Sequence, residues 1–315
     1  MENTRAEAYA PATMANLGVG FDVLGLAFHE PGDIVIAERT NVPGVTIAAI
    51  SGDDGKLPLI LEQNTAGVAA QSALRSSGMA DRVGVRLTIK KGLPRASGLG
   101  SSAASAVAAA VAVNALLGEP LTRAQLLPAC LDGEAVASGY HPDNVAPCLF
   151  GGITLAYGIR AEEIVPLPIP DGLHMALITP HVEVATKEAR AVLPTHIPLK
   201  AMIAQTAQIA RLIDAIYRGD IRAMGAAMEA DGVIEPARFH LMPLLAEARA
   251  AAKAAGAYGL VISGAGPTLC AICDDAEIAA RAADALYRLY ADAGIGGEAR
   301  CTPVSAGGAR VIAVC

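Results

Sequence analysis

Two periodicities alternate along the chain. "VGVRLTIK", Val83–Lys90, places apolar and polar residues on alternate positions, which predicts a half-buried strand. "DIVIAE" (33–38) and "GVTIAAIS" (44–51) read the same way, the second followed by turn chemistry at Asp53, Asp54 and Gly55. Between them the period changes. "NTAGVAAQSALR", Asn64–Arg75, has helical spacing, an Asn-Thr cap and Gly78 to close it. A second helix is predicted from near Ser101 through the Ala/Val run, and a third over Arg123–Ala137 behind the cap Thr122. "HPDNVAPCLFGGITLAYG" (141–158) reads as a loop, a small-residue turn and a strand.

The Pro-rich "EEIVPLPIPDG", Glu162–Gly172, marks a boundary, giving domains at 1–165 and 166–315. Beyond it "LHMALITP" is an apolar strand, "KEARAVLP" a short helix and Leu199–Arg218 a long amphipathic one. "HLMPLLAEARAAAKAAG" is a helix closed by Gly256, and "AYGLVISGAGPTLCAICDD" a strand, a glycine loop and a strand. A helix over Ala276–Ala293 and a terminal strand "ARVIAV" follow. Strands and helices mixed in both halves predict an α+β or α/β protein.

Composition narrows this picture. The 315 residues are 53% hydrophobic but 3% aromatic, with no Trp, so the core is built from Ala, Val, Leu and Ile. A net charge of −7, with no basic run longer than Lys90-Lys91, excludes a nucleic-acid partner. "MENTRAEAYAP" lacks the apolar stretch of a signal peptide. The longest apolar run, Ala103–Leu117, is broken by Ser105 and Asn114 and falls short of the ~20 residues that span a bilayer. A cytoplasmic protein without a membrane partner is expected. Of the six cysteines only Cys270 and Cys273 are close, and on a strand residues three apart face opposite ways, which disfavours a metal or a disulfide.

Three glycine loops carry the candidate chemistry. In "PRASGLGSSAAS" (94–105) small residues between a strand and a helix let backbone N–H groups turn inward beside a helix N-terminus, the makings of a phosphate cradle. It lacks the Gly-Lys-Ser/Thr ending of a P-loop, and the Rossmann pattern fits poorly. Tight helix packing is the other reading of the same glycines. "SGAGPT" (263–268) and "NLGVGFD" (16–22) are the second and third loops, and three such loops suggest backbone segments converging on one ligand.

These three motifs, in this order, resemble the GHMP small-molecule kinases over essentially the whole chain. "ANLGVGFDVLGLAF", "HPDNVAPCLFGG", "TPHVEVATKEARAVLP" and "EPAR" are most similar to its homoserine kinase branch. The resemblance implies a two-domain α+β fold, with an N-terminal domain like ribosomal protein S5 domain 2 and a ferredoxin-like C-terminal domain. It implies ATP-dependent phosphorylation of the L-homoserine hydroxyl, with ATP and Mg²⁺ required and a homodimer allowed. A mevalonate-pathway type of kinase, or a silent ligand-binding relative, is the alternative.

By that resemblance Arg190 and Arg238 clamp the substrate carboxylate, as a planar guanidinium suits. Asn16 and Asp22 hold the amino acid near its reacting hydroxyl, with Asp22 as orienting group or as base. His141 and Asn144 add contacts, and Thr186 lies near the transfer site or caps its helix. Ser102 and Glu134, rather than Asp132, are implied for Mg²⁺. Asn64 is implied for the adenine side, and Pro94, Gly98, Leu99, Gly100, Ser101, Ser102 and Ala103 for the phosphates. Lys90, Lys91 and Arg95 flank the loop, either assisting it electrostatically or, as the default reading, as flexible surface charges. Thr13-Met14 and Pro142 depart from the usual family pattern beside these contacts.

Overall fold

The alternating segments build two sheets, seen in a computed structural model that describes residues 2–315. The first comprises β1 (Arg5–Ala15), β2 (Leu24–Thr40), β3 (Gly44–Ser51), β4 (Gly84–Lys90), β5 (Ile153–Ala156) and β6 (Ile164–Leu167), with a seventh strand from the C-terminus. β3 and β4 are parallel, joined through helix α1 (Thr65–Ser76); the other pairings are antiparallel. The Asn64 side chain accepts the N–H groups of Ala66 and Gly67 as expected of a cap, and Gly78 follows at φ 71°.

α2 (Ser101–Leu116) is buried from Ala103 to Leu116. A helix apolar all round has no solvent face, so it runs through the middle of the core. Its alanines let neighbours come close: a Cβ added at Gly133, on α3 (Arg123–Ala135), would lie 2.8 Å from the Ala106 Cβ. Thr122 and Gln125 form a capping box at the head of α3.

Two segments differ from their sequence reading: the helix read from His240 starts only at Leu245, behind Leu244 at φ 58°, and the 142–150 loop is a helix. "PDNVAPCLF" is helix α4 (Pro142–Phe150), not a loop. Pro142 stands at the first helical position, where its missing N–H has no partner to lose, and Pro147 merely leaves the Asp143 carbonyl unclaimed.

The second sheet holds β7 (His174–Pro180), β8 (Gly259–Ile262), β9 (Leu269–Cys273) and β10 (Gly297–Pro303) in the antiparallel order β10-β7-β9-β8, the order of a ferredoxin-like layer. α5 (Thr186–Ala191), α6 (Leu199–Arg218), α7 (Ile221–Met228), α8 (Ile234–Arg238) and α9 (Leu245–Ala254) lie between β7 and β8. α10 (Ala276–Asp292) joins β9 to β10.

Alternation along β9 sends Cys270 and Ile272 into the main core and Ala271 and Cys273 into a second core with α9 and α10; all six cysteines are free thiols. The last strand, β11 (Arg310–Val314), returns to the first sheet and pairs with β1. The division at residue 165 therefore needs correction in detail. It cuts β6, which is hydrogen-bonded to β5, and it separates β11 from the sheet its backbone completes.

Candidate active site

The phosphate loop is shaped by backbone no side chain could share. Gly98 (φ 79°) carries its Cα against the 263–268 loop, where a Cβ would lie 2.3 Å from the Ser263 carbonyl oxygen. Ser263 Oγ donates to the Gly98 carbonyl (2.7 Å) and the Thr268 N–H to that of Ser97 (3.1 Å). Gly100 (φ 64°) meets β1, the strand that leads into the 16–22 loop, in the same way: a Cβ there would lie 2.0 Å from Thr13 Oγ1. The three glycine motifs thus converge. Gly100 heads α2 with no side chain capping it, so the first-turn N–H groups stay open to an anion.

Beneath the loop lies a charge that the sequence reading misassigned. Lys91 is not a flexible surface charge. Its side chain is 3% exposed, ion-paired with the fully buried Asp33, and donates to the Ser101 carbonyl (2.9 Å) and Ser105 Oγ (2.8 Å). Asp33 also accepts the Gly92 and Leu93 N–H groups, so the ion pair braces both the loop and the start of α2. Lys90 and Arg95 are exposed, as expected.

All the candidate residues except Pro94, Leu99 and Ala103 line one cavity of about 550 Å³. Leu99 and Ala103 are core residues, and Pro94 borders a neighbouring cavity of about 630 Å³. Asn64 lies on the wall, but its amide is engaged by α1 and by the Pro58 carbonyl (2.9 Å), which makes it a brace for its helix.

At the head of α2, Ser102 Oγ donates to Glu134 Oε1 (3.0 Å), which Ser138 also contacts; Glu134 Oε2 is buried with no partner. Burial pushes the Glu134 carboxyl up to about 7, against the pull of the Ser138 and Ser102 hydrogen bonds. An orphaned carboxylate oxygen beside a hydroxyl fits a hard divalent cation that draws few ligands from protein. Asp132 offers no such oxygen, since Ser72 (2.5 Å) and Tyr140 (3.0 Å) donate to it. Among the described residues no three His, Cys, Asp or Glu side chains form a cage of their own.

The far end has different chemistry. Asn16 (φ 76°) ties its loop together: Oδ1 accepts the Asp22 N–H (3.1 Å) and Nδ2 donates to the Gly264 carbonyl (3.0 Å). Its amide therefore positions Asp22 from the cavity wall. Asp22 takes a bidentate pair of bonds from Arg190, at 3.0 and 2.8 Å, while Arg190 Nε is buried and unpartnered. Arg238 is 3% exposed and donates to the Ala189 (2.9 Å) and Gly264 (2.9 Å) carbonyls. Burial, then the Arg190 charge, lower it to about 10, so it stays a cation at neutral pH.

Both guanidiniums lie 5.3–5.4 Å from the Phe21 ring centroid, an aromatic partner the sequence reading overlooked. His141 Nδ1 is 4.0 Å from Asp22 Oδ2, and burial and Arg190 push it below its ordinary value. Asn144 Oδ1 accepts from Thr13 (2.7 Å), so the departure at Thr13 joins β1 to α4. Thr186 is exposed as the first residue of α5, whose cap is Ala185.

Asp143 was also overlooked, although it stands between His141 and Asn144. It is 4% exposed, its Oδ1 has no partner, and burial and the Asp22 and Glu134 charges lift it to about 7.

Known proteins show the same organisation. Family models for the GHMP kinases N terminal domain and the GHMP kinases C terminal match residues 64–152 and 212–292. The homoserine kinase of Xylella fastidiosa (strain 9a5c) is 42% identical over 309 residues, 98% of this chain and 94% of that one. The chain belongs to the GHMP kinase family. Among GHMP kinases it groups with the homoserine kinases. That of Chlorobium phaeovibrioides is 39% identical over 96% of this chain and 98% of its own. The crystal structure of homoserine kinase from Cytophaga hutchinsonii superposes with a TM-score of 0.94 at 39% identity, covering 99% and 98% of the two chains. The fold is the two-domain GHMP kinase fold.

Proposed function

We infer that the chain is a homoserine kinase, which transfers the γ-phosphoryl group of ATP to the side-chain hydroxyl of L-homoserine and yields O-phospho-L-homoserine for threonine synthesis. One observation carries the reading. A single cavity has an uncapped helix N-terminus at one end and, at the other, two arginines, an aromatic ring and two carboxyls. The first suits a polyphosphate, the second a carboxylate and an ammonium on one small molecule.

The amino-acid carboxylate is held by Arg238 and by the free Nε of Arg190, and the ammonium by Asp22 and Asp143. Asn16 sets the Asp22 backbone, and Asn144 and His141 close the wall. Thr186 sits over the transfer site. The open amides around Gly98–Ser102 hold the polyphosphate above the Lys91–Asp33 pair.

Ser102 and Glu134 would hold Mg²⁺, which supplies neutralisation of polyphosphate charge when bound with the nucleotide. Phosphoryl transfer has a loose transition state, so alignment and charge neutralisation supply most of the acceleration. The hydroxyl proton leaves with the transferred phosphoryl group, and Asp22, with both oxygens engaged by Arg190, orients instead of accepting it.

No helix among the described residues is long and apolar enough to cross a membrane, which is compatible with a cytoplasmic enzyme. Phosphorus NMR of the product from ATP, Mg²⁺ and L-homoserine tests the function: a phosphomonoester resonance coupled to the homoserine side-chain methylene is expected. Turnover of mevalonate or galactose in its place overturns the reading. So does binding of ATP and homoserine without a product.

A further inference from the structure

The residues that face the amino acid sit on short elements with little regular structure of their own. Asn16, Leu17, Gly18 and Asp22 all have positive φ, and α8, which ends in Arg238, is five residues long. Outside the cavity, one side chain touches both elements. Gln205, on α6, donates from Nε2 to the Val19 carbonyl (3.2 Å) and to Asp231 Oδ1 (2.9 Å), and its Oε1 accepts the Gly232 N–H (3.3 Å). Asp231, 9% exposed, devotes its carboxylate to the turn that opens α8. Oδ1 accepts the N–H groups of Val233 (2.9 Å) and Ile234 (3.0 Å), and Oδ2 accepts that of Glu235 (2.8 Å). Arg238 follows one turn later. The loop also packs directly on α7, the helix just before the Asp231 turn, since a Cβ at Gly18 would lie 2.0 Å from the Met228 carbonyl oxygen. Neither Gln205 nor Asp231 lines the cavity.

We propose that Gln205 and Asp231 are a positioning pair that fixes the spacing between the Asn16–Asp22 loop and Arg238, and so sets the affinity of the amino-acid half of the cleft. The proposal rests on the homoserine kinase reading. A Gln amide has two donor hydrogens, and here each is committed to a different element. Arginine clamps demand accurate placement, a displacement of about 1 Å costing on the order of a hundredfold. The polyphosphate end, held by Lys91, Asp33 and Ser263 of the 263–268 loop, shares none of these bonds. The pair therefore acts on one substrate and not the other.

Steady-state kinetics of the full-length enzyme with each substrate varied in turn test this. Gln205→Met is expected to raise the KM for L-homoserine about tenfold and leave that for ATP within about twofold. Gln205→Glu keeps the shape, loses both donors and sets a carboxylate against Asp231, so it raises the homoserine KM at least as far. Asp231→Ala does the same. Asp231→Asn, which keeps an accepting oxygen and opens a helical turn equally well, stays within about threefold of wild type. The double variant Gln205→Met/Asp231→Ala is no worse than the poorer single one, as expected of a shared interaction.

The pair is overturned if Gln205→Glu keeps the wild-type homoserine KM, or if the two KM values rise together. Gln205→Glu decides the matter should Gln205→Met not fold. A wild-type enzyme that turns over homoserine beside unaffected variants sinks the pair alone, whereas an inert wild type sinks the underlying reading.

Discussion

Replacing Asp143 by Asn separates what the cleft does for stability from what it does for binding. The carboxyl is 4% exposed, has an oxygen with no hydrogen-bond partner, and lies near the Asp22 and Glu134 charges. Its pKa in the folded chain is raised from an ordinary 3.8 to about 7. Well below pH 3.8 the folded and unfolded chains both carry the proton and nothing is lost. As pH rises from there the unfolded carboxyl ionises while the folded one holds its proton, so the native state loses relative stability, and the loss is complete above about 7. A rise of that size corresponds to about 4 kcal/mol at full ionisation. Relaxation of the site and the share that falls on Glu134 reduce it to ~1–3 kcal/mol.

Asp143→Asn removes this penalty. The variant should lie closest to wild type near pH 4.5 and melt increasingly higher towards pH 8, by about 2–6 °C there. At pH 8, where the folded carboxyl is ionised, it should also raise the homoserine KM at least ~10-fold, because the ammonium loses a charged acceptor. Differential scanning calorimetry from pH 4.5 to 8, paired with kinetics, reads both effects. A melting difference that stays constant with pH refutes the account of the buried carboxyl. An unchanged homoserine KM refutes its placement against the ammonium.

Three further outcomes are expected. Arg238→Lys loses the planar fork that bonds the Ala189 and Gly264 carbonyls, and should raise the homoserine KM about 100-fold with the ATP KM unchanged, read by initial rates. Gly98→Ala drives a Cβ to within 2.3 Å of the Ser263 oxygen at a left-handed φ, so nucleotide binding measured by calorimetry should weaken about tenfold or more. Lys91→Met strands the fully buried Asp33, and denaturant melts should show a loss of ~3–5 kcal/mol, partly restored by adding Asp33→Asn.

Local chemistry made much of this fold legible. Asn64, Thr122, Gly78 and Gly256 punctuate helices where the sequence places them, and Leu199–Arg218 follows its amphipathic period to both ends. α4 was hidden because a nine-residue stretch with two prolines carries little helical period, although the position of each proline within the turn decides its cost. The partner of β11 was hidden because pairing with β1 joins opposite ends of the chain and leaves no local trace.

The site divides along the same line. Gly98, Gly100 and Ser102 are recognisable as a motif, and the arginines only through the resemblance. Asp143 had a signal in its place between His141 and Asn144, and Phe21 in its place beside Asp22. Lys91 had none: its partner Asp33 lies 58 residues away, and only the folded sheet reveals that the pair is buried.

The central claim is that one cleft grips a polyphosphate at the start of α2 and an amino acid between Arg190 and Arg238. A crystal structure of the full chain with L-homoserine and a non-hydrolysable ATP analogue tests it most directly. The phosphates should contact the Gly98–Ser102 amides, with the carboxylate within hydrogen-bonding distance of both guanidiniums and the hydroxyl aimed at the terminal phosphate. A polyphosphate bound elsewhere, or a homoserine that leaves both arginines untouched, would contradict it.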